Sequence, residues 1–210
     1  FDLEEENQIF EKDGLDAYYK YQLENEDKSL KKGTGYRLVE NILKINSFFS
    51  SDERQVEVII LSKNNAATSL RITNAINDLK LDIIRSAWTS GTNISNYLKA
   101  FKVDLFLSAD DNDVLNAIEN GVAAAKILHS NENIHNISNE QVRIAFDGDA
   151  VLFSEESELV YKNHGLEAFI EHEKENRNNP LEMGPFAKLL LTIAKIQAKF
   201  PTDKSPIRTA

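Results

Sequence analysis

Two aspartates stand one residue apart directly after an apolar stretch of the chain. Asp147 and Asp149 flank Gly148, and residues 142–146 read Val-Arg-Ile-Ala-Phe. In an extended chain, residues i and i+2 point to the same side, so a strand here would present both carboxylates together at its carboxyl end. Open α/β sheets bind their ligands at that edge, and a glycine lets a ligand come close to the backbone. The pattern therefore predicts a catalytic or binding site.

The chemistry that this pair favours is phosphoryl transfer. Two neighbouring carboxylates repel each other unless one is protonated or a cation lies between them. Mg²⁺ is held in proteins by one or two carboxylates together with phosphate oxygens of a substrate. In this interpretation Asp147 attacks phosphorus as the nucleophile, and Asp149 protonates the leaving alkoxide and then activates water. The metal ion offsets charge on the transferred group.

Three other interpretations of the pair stay open at this point. A calcium loop accounts for Asp147, Asp149 and Glu158, but its fifth and sixth positions are Val151 and Leu152 instead of an oxygen ligand and a glycine. A turn or a helix N-cap explains one aspartate, but not a pair framed by apolar residues. A buried salt-bridge site is the third alternative.

Composition and charge exclude several classes of function. The chain has 210 residues, a formal net charge of −10 and no cysteine. Its length fits one or two domains. The lack of cysteine excludes disulfides, thiolate nucleophiles and Cys-ligated zinc. The negative charge argues against a nucleic-acid polymer as partner, although it leaves room for a small phosphate ester held with a metal ion.

The sequence also gives expectations about location and partners. No apolar run approaches the ~20 residues that span a bilayer, so we expect no membrane partner, and no basic-then-apolar signal peptide opens the chain. Whether the protein forms a homo-oligomer is left open by the sequence. The chain opens at Phe1 with no initiator Met, and we expect a segment cut from a longer protein.

An internal repeat relates the two halves of the sequence. Residues 14–46 match residues 165–197 without a gap. Identical pairs include Gly14/Gly165, Glu24/Glu175, Asn25/Asn176, Leu30/Leu181, Gly33/Gly184, Leu38/Leu189 and Ile42/Ile193. Matching glycines and a matching Glu-Asn pair at one fixed offset favour a duplication over a chance likeness between two amphipathic helices.

The repeat predicts what lies beyond each end. The first copy completes an apolar strand over 56–61, whereas the second stops within the corresponding strand at Ala210. The stretch that would match 142–149 is absent before Phe1. We therefore expect an apolar strand that ends in Ser or Thr just after Ala210, then a Lys and a paired-Asp motif.

Periodicity predicts strands that alternate with helices, which implies a parallel sheet covered by helices. The predicted helices cover 7–23, 35–46, 66–79, 95–101, 113–119 and much of 158–197; the predicted strands cover 56–61, 82–87, 103–107 and 122–128. The predicted organisation is a first, degenerate repeat over 1–130, a linker over 131–141 that is part of a polar stretch, and a second, catalytic repeat over 142–210.

The pattern Asp-x-Asp-x-Val after a strand is similar to the first signature of the haloacid dehalogenase superfamily of phosphatases. The wider string from Phe146 to Ser154 resembles the type I cytosolic 5′-nucleotidases, and this resemblance covers nearly the whole chain. Further similar segments are 1–7, 21–26, 97–101, 105–109, Gly165-Leu166, Glu171-His172-Glu173 and Pro180-Leu181.

The resemblance implies an α/β fold with a Rossmann-like parallel sheet of the haloacid dehalogenase type, internally duplicated, with helices over 158–197 as a cap. It implies Mg²⁺-dependent hydrolysis of nucleoside 5′-monophosphates, typically AMP, in the cytosol. Asp147 would be the nucleophile and a Mg²⁺ ligand through its side chain. Asp149 would be the acid and base, and a ligand through its backbone carbonyl. A non-catalytic nucleotide- or protein-binding module and a phosphatase for another phosphomonoester are the alternatives.

The superfamily also needs a strand-end Ser or Thr, a Lys and a later acidic metal site. In the first repeat Ser62, Lys99 and Asp110 occur in that order. We expect this repeat to be non-catalytic, but a strand over 142–149 beside its sheet would make Ser62 and Lys99 substrate-binding residues and Asp110 a metal ligand. Each residue also has a structural explanation: a strand-end hydroxyl, a solvated helix residue and a helix N-cap.

Overall fold

The computed structural model describes residues 1–128 and 141–210, except the side chains of Asp149 and Ala150, and the predicted linker lies outside this part apart from Gln141. The helices are α1 Glu4–Glu24, α2 Tyr36–Lys44, α3 Leu70–Asp78, α4 Ser95–Ala100, α5 Asp111–Glu119, α6 Glu156–Asn176 and α7 Ala187–Gln197. The strands are β1 Ile59–Ser62, β2 Arg85–Trp88, β3 Phe106–Ser108, β4 Ala124–Lys126, β5 Val142–Ile144 and β6 Ile207–Thr209. The predicted α/β class is confirmed.

All strand pairs among the described residues are parallel. They form three two-stranded sheets, β1 with β2, β3 with β4 and β5 with β6. A helix follows β1 and precedes β2, and another lies between β3 and β4 in the chain, as parallel connections require. Their registers place Ile59 opposite Arg85, Phe106 opposite Ala124 and Val142 opposite Ile207.

The chain divides into two compact units. The first contains Phe1–Tyr97, and the second contains Leu98–Lys126 and Gln141–Ala210. A core cluster of the first unit is Leu30, Ile72, Ala75 and Ile76, with Phe1, Leu3, Ile60, Leu81, Ile83 and Trp88 packed against it. In the second unit buried apolar side chains include Leu98, Phe106, Ala117, Val122, Val142, Leu189, Ile193, Ile196 and Ile207.

A buried ion pair joins α1 to α3 within the first unit. The Arg71 guanidinium bonds to the Glu6 carboxylate and donates through Nε to the Lys28 carbonyl at 2.9 Å. Both side chains are at least nine-tenths buried. Removing one partner of such a pair leaves the other charge buried and uncompensated, so this contact fixes where α1 packs.

Two of the long helices are interrupted by a glycine. Gly14 in α1 has φ +83° and ψ −176°, and Gly165 in α6 has φ +82° and ψ −177°. The Tyr21 hydroxyl donates to the Glu5 carboxylate at 2.9 Å, although sixteen residues of straight helix would span about 24 Å. Each element is thus a helical hairpin, which corrects the prediction of an uninterrupted helix over 7–23.

The same contacts recur at corresponding positions of the two hairpins. The rings of Phe10 and Tyr18 lie 5.9 Å apart at 79°, and those of Tyr161 and Phe169 lie 6.1 Å apart at 80°. The side-chain amide of Asn25 donates to the carbonyl of Tyr21 at 2.7 Å, and that of Asn176 donates to the carbonyl of His172 at 3.0 Å. Side chains that the repeat aligns therefore have the same local geometry.

None of the helices within residues 1–128 and 141–210 is both long enough and apolar enough to cross a membrane.

Replacing Gly165 or Gly14 with Ala should destabilise the protein. Their backbone angles belong to a region used almost only by glycine, which costs about 1–3 kcal/mol for other residues, and no atom lies within 4 Å of an added Cβ, so the cost is one of backbone strain. Urea denaturation measures the free energy of unfolding. The exposed neighbour variant Leu166→Ala should stay within about 0.5 kcal/mol of the wild type, and an unchanged Gly165→Ala variant would contradict the strain.

Candidate active site

Pairing between β5 and β6 places Asp147 at the carboxyl end of a parallel pair. The pairing continues past the last strand residues, since the Ala210 amide donates to the Ile144 carbonyl at 3.0 Å and the Phe146 amide donates to the Ala210 carbonyl at 2.9 Å. Asp147 follows in an extended conformation, with φ −72° and ψ 149°, and its side chain is exposed. The sequence prediction for this residue, at a strand end and open to ligands, agrees with the geometry.

The backbone turns sharply immediately after Asp147. Gly148–Leu152 forms one turn of π-helix, in which the Phe153 amide donates to the Gly148 carbonyl at 3.1 Å. π-helical turns are uncommon in proteins, and many of those that occur lie at functional sites. Asp149 belongs to this turn and not to an extended strand. The rule that residues i and i+2 of a strand point to the same side therefore does not apply to Asp147 and Asp149. That the two carboxylates share one side stays a prediction.

A second segment is hydrogen-bonded along this turn. The amides of Gly184 and Phe186 donate to the carbonyls of Leu152 at 2.9 Å and Val151 at 3.0 Å. In return the Ser154 amide donates to the Glu182 carbonyl at 2.8 Å. The sequence identifies Gly184 only as the counterpart of Gly33 in the internal repeat. Its role beside the turn that follows Asp147 was missed, because nothing in the sequence shows which backbone a loop glycine approaches.

Exposed apolar side chains lie beside the same turn. The Phe153 side chain is 44% exposed, and its ring lies 3.9 Å from the position of an added Cβ on Gly148. Phe153 also bridges to Met183, which is 73% exposed. These two residues form an apolar surface next to Asp147, and they were not among the predicted site residues.

The other predicted site residues are distributed over both units. Ser62, at the end of β1 in the first unit, accepts a hydrogen bond through its hydroxyl from the Asn64 amide at 3.2 Å. Lys99 lies on α4 in the second unit and is exposed. Both environments fit the structural explanations of a strand-end hydroxyl and a solvated helix residue. Their substrate-binding roles stay predictions.

Asp110 is the N-cap of α5. Its carboxylate accepts a hydrogen bond from the Asp113 amide at 3.0 Å, and its own amide donates to the Ser108 hydroxyl at 3.1 Å. The N-cap explanation is confirmed, with the helix starting at Asp111. The negative charge at the helix N-terminus also suits the helix dipole.

Asp147 offers one exposed carboxylate at this edge. Among the residues described, no group of three or more His, Cys, Asp or Glu side chains could hold a metal ion. Hard divalent cations bind carboxylate oxygens together with water and substrate phosphate. Asp147 could therefore contribute one ligand to a divalent-cation site.

Comparison with known proteins identifies the family of the chain. A model of the 5′-nucleotidase family matches residues 1–210. Human cytosolic 5′-nucleotidase 1B is 33% identical over 217 residues, an alignment that covers 100% of this chain and 35% of the human protein. The chain thus spans about a third of that relative's length. No solved structure was found to match. The chain belongs to the type I cytosolic 5′-nucleotidase family, as the resemblance predicted.

Substitutions at Asp110 test its role as a cap. Asp110→Ala should lower the free energy of unfolding by about 1 kcal/mol, whereas Asp110→Asn should keep it nearly unchanged, because Asn caps helices as well as Asp does. Denaturant unfolding of both variants gives the comparison. Equal losses from Ala and Asn would show that the carboxylate is held by something other than the cap.

Proposed function

We propose that the protein hydrolyses nucleoside 5′-monophosphates such as AMP to a nucleoside and phosphate, through an aspartyl-phosphate on Asp147. The observation that supports this most is the exposed Asp147 at the carboxyl end of β5, directly before a π-turn, in a chain that matches the 5′-nucleotidase family along its whole length. The name of the human relative supports a cytosolic location.

The reaction divides into two balanced steps on this chain's own residues. An oxygen of Asp147 attacks phosphorus, the bond from phosphorus to the 5′-oxygen breaks, and the electron pair stays on that oxygen, which takes a proton from Asp149. Asp149, now a carboxylate, removes a proton from water as the water oxygen attacks phosphorus. The acyl phosphate bond breaks, phosphate leaves and the Asp147 carboxylate is restored.

Mg²⁺ fits the oxygen donors of this site. Asp147 through its side chain and Asp149 through its backbone carbonyl would hold the ion, with Asp110 as a further candidate ligand. When bound, Mg²⁺ offsets the negative charge on the transferred phosphoryl group. Asp147 then has to point at phosphorus, and its exposed position leaves it open to a substrate.

The architecture proposed with this function is a duplicated fold of the haloacid dehalogenase type. Its support is the repeated geometry of the two hairpins, with equivalent glycine angles, ring pairs and asparagine hydrogen bonds. The first repeat is the degenerate one, and Lys99, which lies in the same compact unit as Asp147, is a candidate substrate-binding residue. Helices within 158–197 form the cap of the second repeat.

An apolar surface beside Asp147 favours a nucleoside over a small polar alcohol as the leaving group. Phe153 and Met183 are exposed next to the π-turn, and aromatic side chains bind bases by stacking. A phosphate on Asp147 would place the rest of the substrate within reach of this surface.

Replacing the nucleophile should abolish turnover. In the full-length gene product, Asp147→Asn should lower kcat for AMP with Mg²⁺ at least about 10³-fold, because an amide cannot form the acyl phosphate. Phosphate release measures the rate. Asp203→Asn makes the same change in charge before the amino end of β6, at the opposite end of the pair, and should keep kcat within about twofold. Activity that survives Asp147→Asn unchanged would reject the assignment.

The apolar surface of Phe153 and Met183 should strengthen binding of the nucleoside part of the substrate and have little effect on binding of the phosphate. Phe153→Ala should raise KM for AMP about tenfold, since base stacking contributes about 1–3 kcal/mol, while KM for glycerol phosphate should change little. Ile84→Ala removes an exposed apolar side chain in the first unit and serves as control. Equal increases in KM for both substrates would show that Phe153 does not contact the nucleoside.

A further inference from the structure

Residues 182–186, called here the clamp segment, connect the region after α6 to the start of α7 and run along the π-turn. Three backbone hydrogen bonds join them to Val151, Leu152 and Ser154, at 3.0, 2.9 and 2.8 Å. At the end of the π-turn the Phe153 amide donates to the Gly148 carbonyl at 3.1 Å. The three bonds from the clamp segment therefore add to the turn's own hydrogen bonding and tie it to a distant part of the chain.

Gly184 is the point of closest approach. A Cβ on this residue would lie 2.4 Å from the Phe153 carbonyl oxygen, 2.5 Å from that of Val151 and 2.9 Å from the carbonyl carbon of Leu152. These are backbone atoms, which cannot rotate away as a side chain can. Any other residue at position 184 would therefore push the turn and the clamp segment apart.

The clamp segment also contacts the residue on the other side of Asp147. The Phe186 and Phe146 rings lie 6.4 Å apart at 65°, an edge-to-face geometry that stabilises aromatic pairs. Phe146 immediately precedes Asp147. One short segment thus touches the chain both before and after the proposed nucleophile.

We propose that Gly184 is a positioning residue, which allows the clamp segment to set the orientation of Asp147 towards phosphorus. This proposal rests on the proposed function of Asp147. A displacement of about 1 Å at a reacting group can lower a rate about a hundredfold, and the steric conflict at Gly184 is of that size. Gly184 has no side chain of its own, and its substitution should lower kcat for AMP and for glycerol phosphate alike; KM for glycerol phosphate, which has no base to stack on Phe153, should stay nearly unchanged.

The first unit offers a matched control. A Cβ on Gly33 would lie 2.5 Å from the Phe1 carbonyl oxygen, and the Asp2 amide donates to the Lys31 carbonyl at 3.0 Å, as Ser154 does to Glu182. Gly33→Ala therefore creates the same kind of steric conflict in the unit that does not contain Asp147.

The experiment compares full-length wild type with Gly184→Ala, Gly33→Ala and the milder Phe186→Leu. Gly184→Ala should lower kcat about a hundredfold for both AMP and glycerol phosphate, with KM for glycerol phosphate within about twofold, and amide hydrogen exchange over 148–153 should become faster. Gly33→Ala should lose thermal stability to a similar extent but keep kcat. Phe186→Leu should lower kcat several-fold.

Folded Gly184→Ala protein with wild-type kcat, or an equal loss of kcat in Gly33→Ala, would overturn the proposal. If Gly184→Ala does not fold, Phe186→Leu decides, because wild-type kcat and exchange in that variant also overturn it. If Asp147→Asn is fully active, the proposed function fails instead. Amide hydrogen exchange over 148–153 then still tests whether the clamp segment holds the π-turn. Faster exchange in Gly184→Ala but not in Gly33→Ala supports this role, and unchanged exchange in Gly184→Ala refutes it.

Discussion

The candidate site depends on the parallel pairing of β5 with β6. Val142 is almost fully buried, while Asp147, five residues later, is exposed at the carboxyl edge. The Ala210 amide donates to the Ile144 carbonyl and the Ala210 carbonyl accepts from the Phe146 amide, so the pairing extends up to the residue before Asp147. Both strands of a parallel pair end at the same edge, and Asp147 lies at that edge.

The turn after Asp147 is held in place by contacts with a distant part of the chain. A π-helical turn is a rare local structure. Here it is held by bonds from a segment more than thirty residues away in sequence, across a glycine that no larger residue can replace without displacing backbone. The segment lies between the two helices proposed as the cap, so backbone hydrogen bonds connect the proposed cap to the turn that follows the proposed nucleophile.

Much of this arrangement could be predicted from the sequence. Asp147 at a strand end followed from two acids after an apolar run, and Asp110 as an N-cap followed from an acid before a helical pattern. The repeat led directly to the equivalent pairs Gly14/Gly165 and Gly33/Gly184. Such features are predictable because each depends on residues close together in the chain or on an exact internal match.

What could not be predicted depends on contacts between distant residues. An isolated glycine in a helical pattern is usually tolerated, so the reversal at Gly14 was missed, although the Tyr21–Glu5 contact requires it. The strand predicted over 82–87 begins only at Arg85, because Ile83 is held in a turn by a bond to the Leu81 carbonyl and Ile84 is exposed. The π-turn could not be predicted because it is hydrogen-bonded to the clamp segment, and no local sequence pattern links that segment to residues 148–152.

The account is tested most directly by trapping the covalent intermediate. Full-length protein would be mixed with AMP labelled in its phosphate and Mg²⁺, quenched in acid during turnover, digested and mapped by mass spectrometry. The account predicts a phosphoryl group on the Asp147 carboxylate that disappears when substrate is exhausted. A label on another residue, or steady turnover with no labelled protein at any quench time, would contradict it.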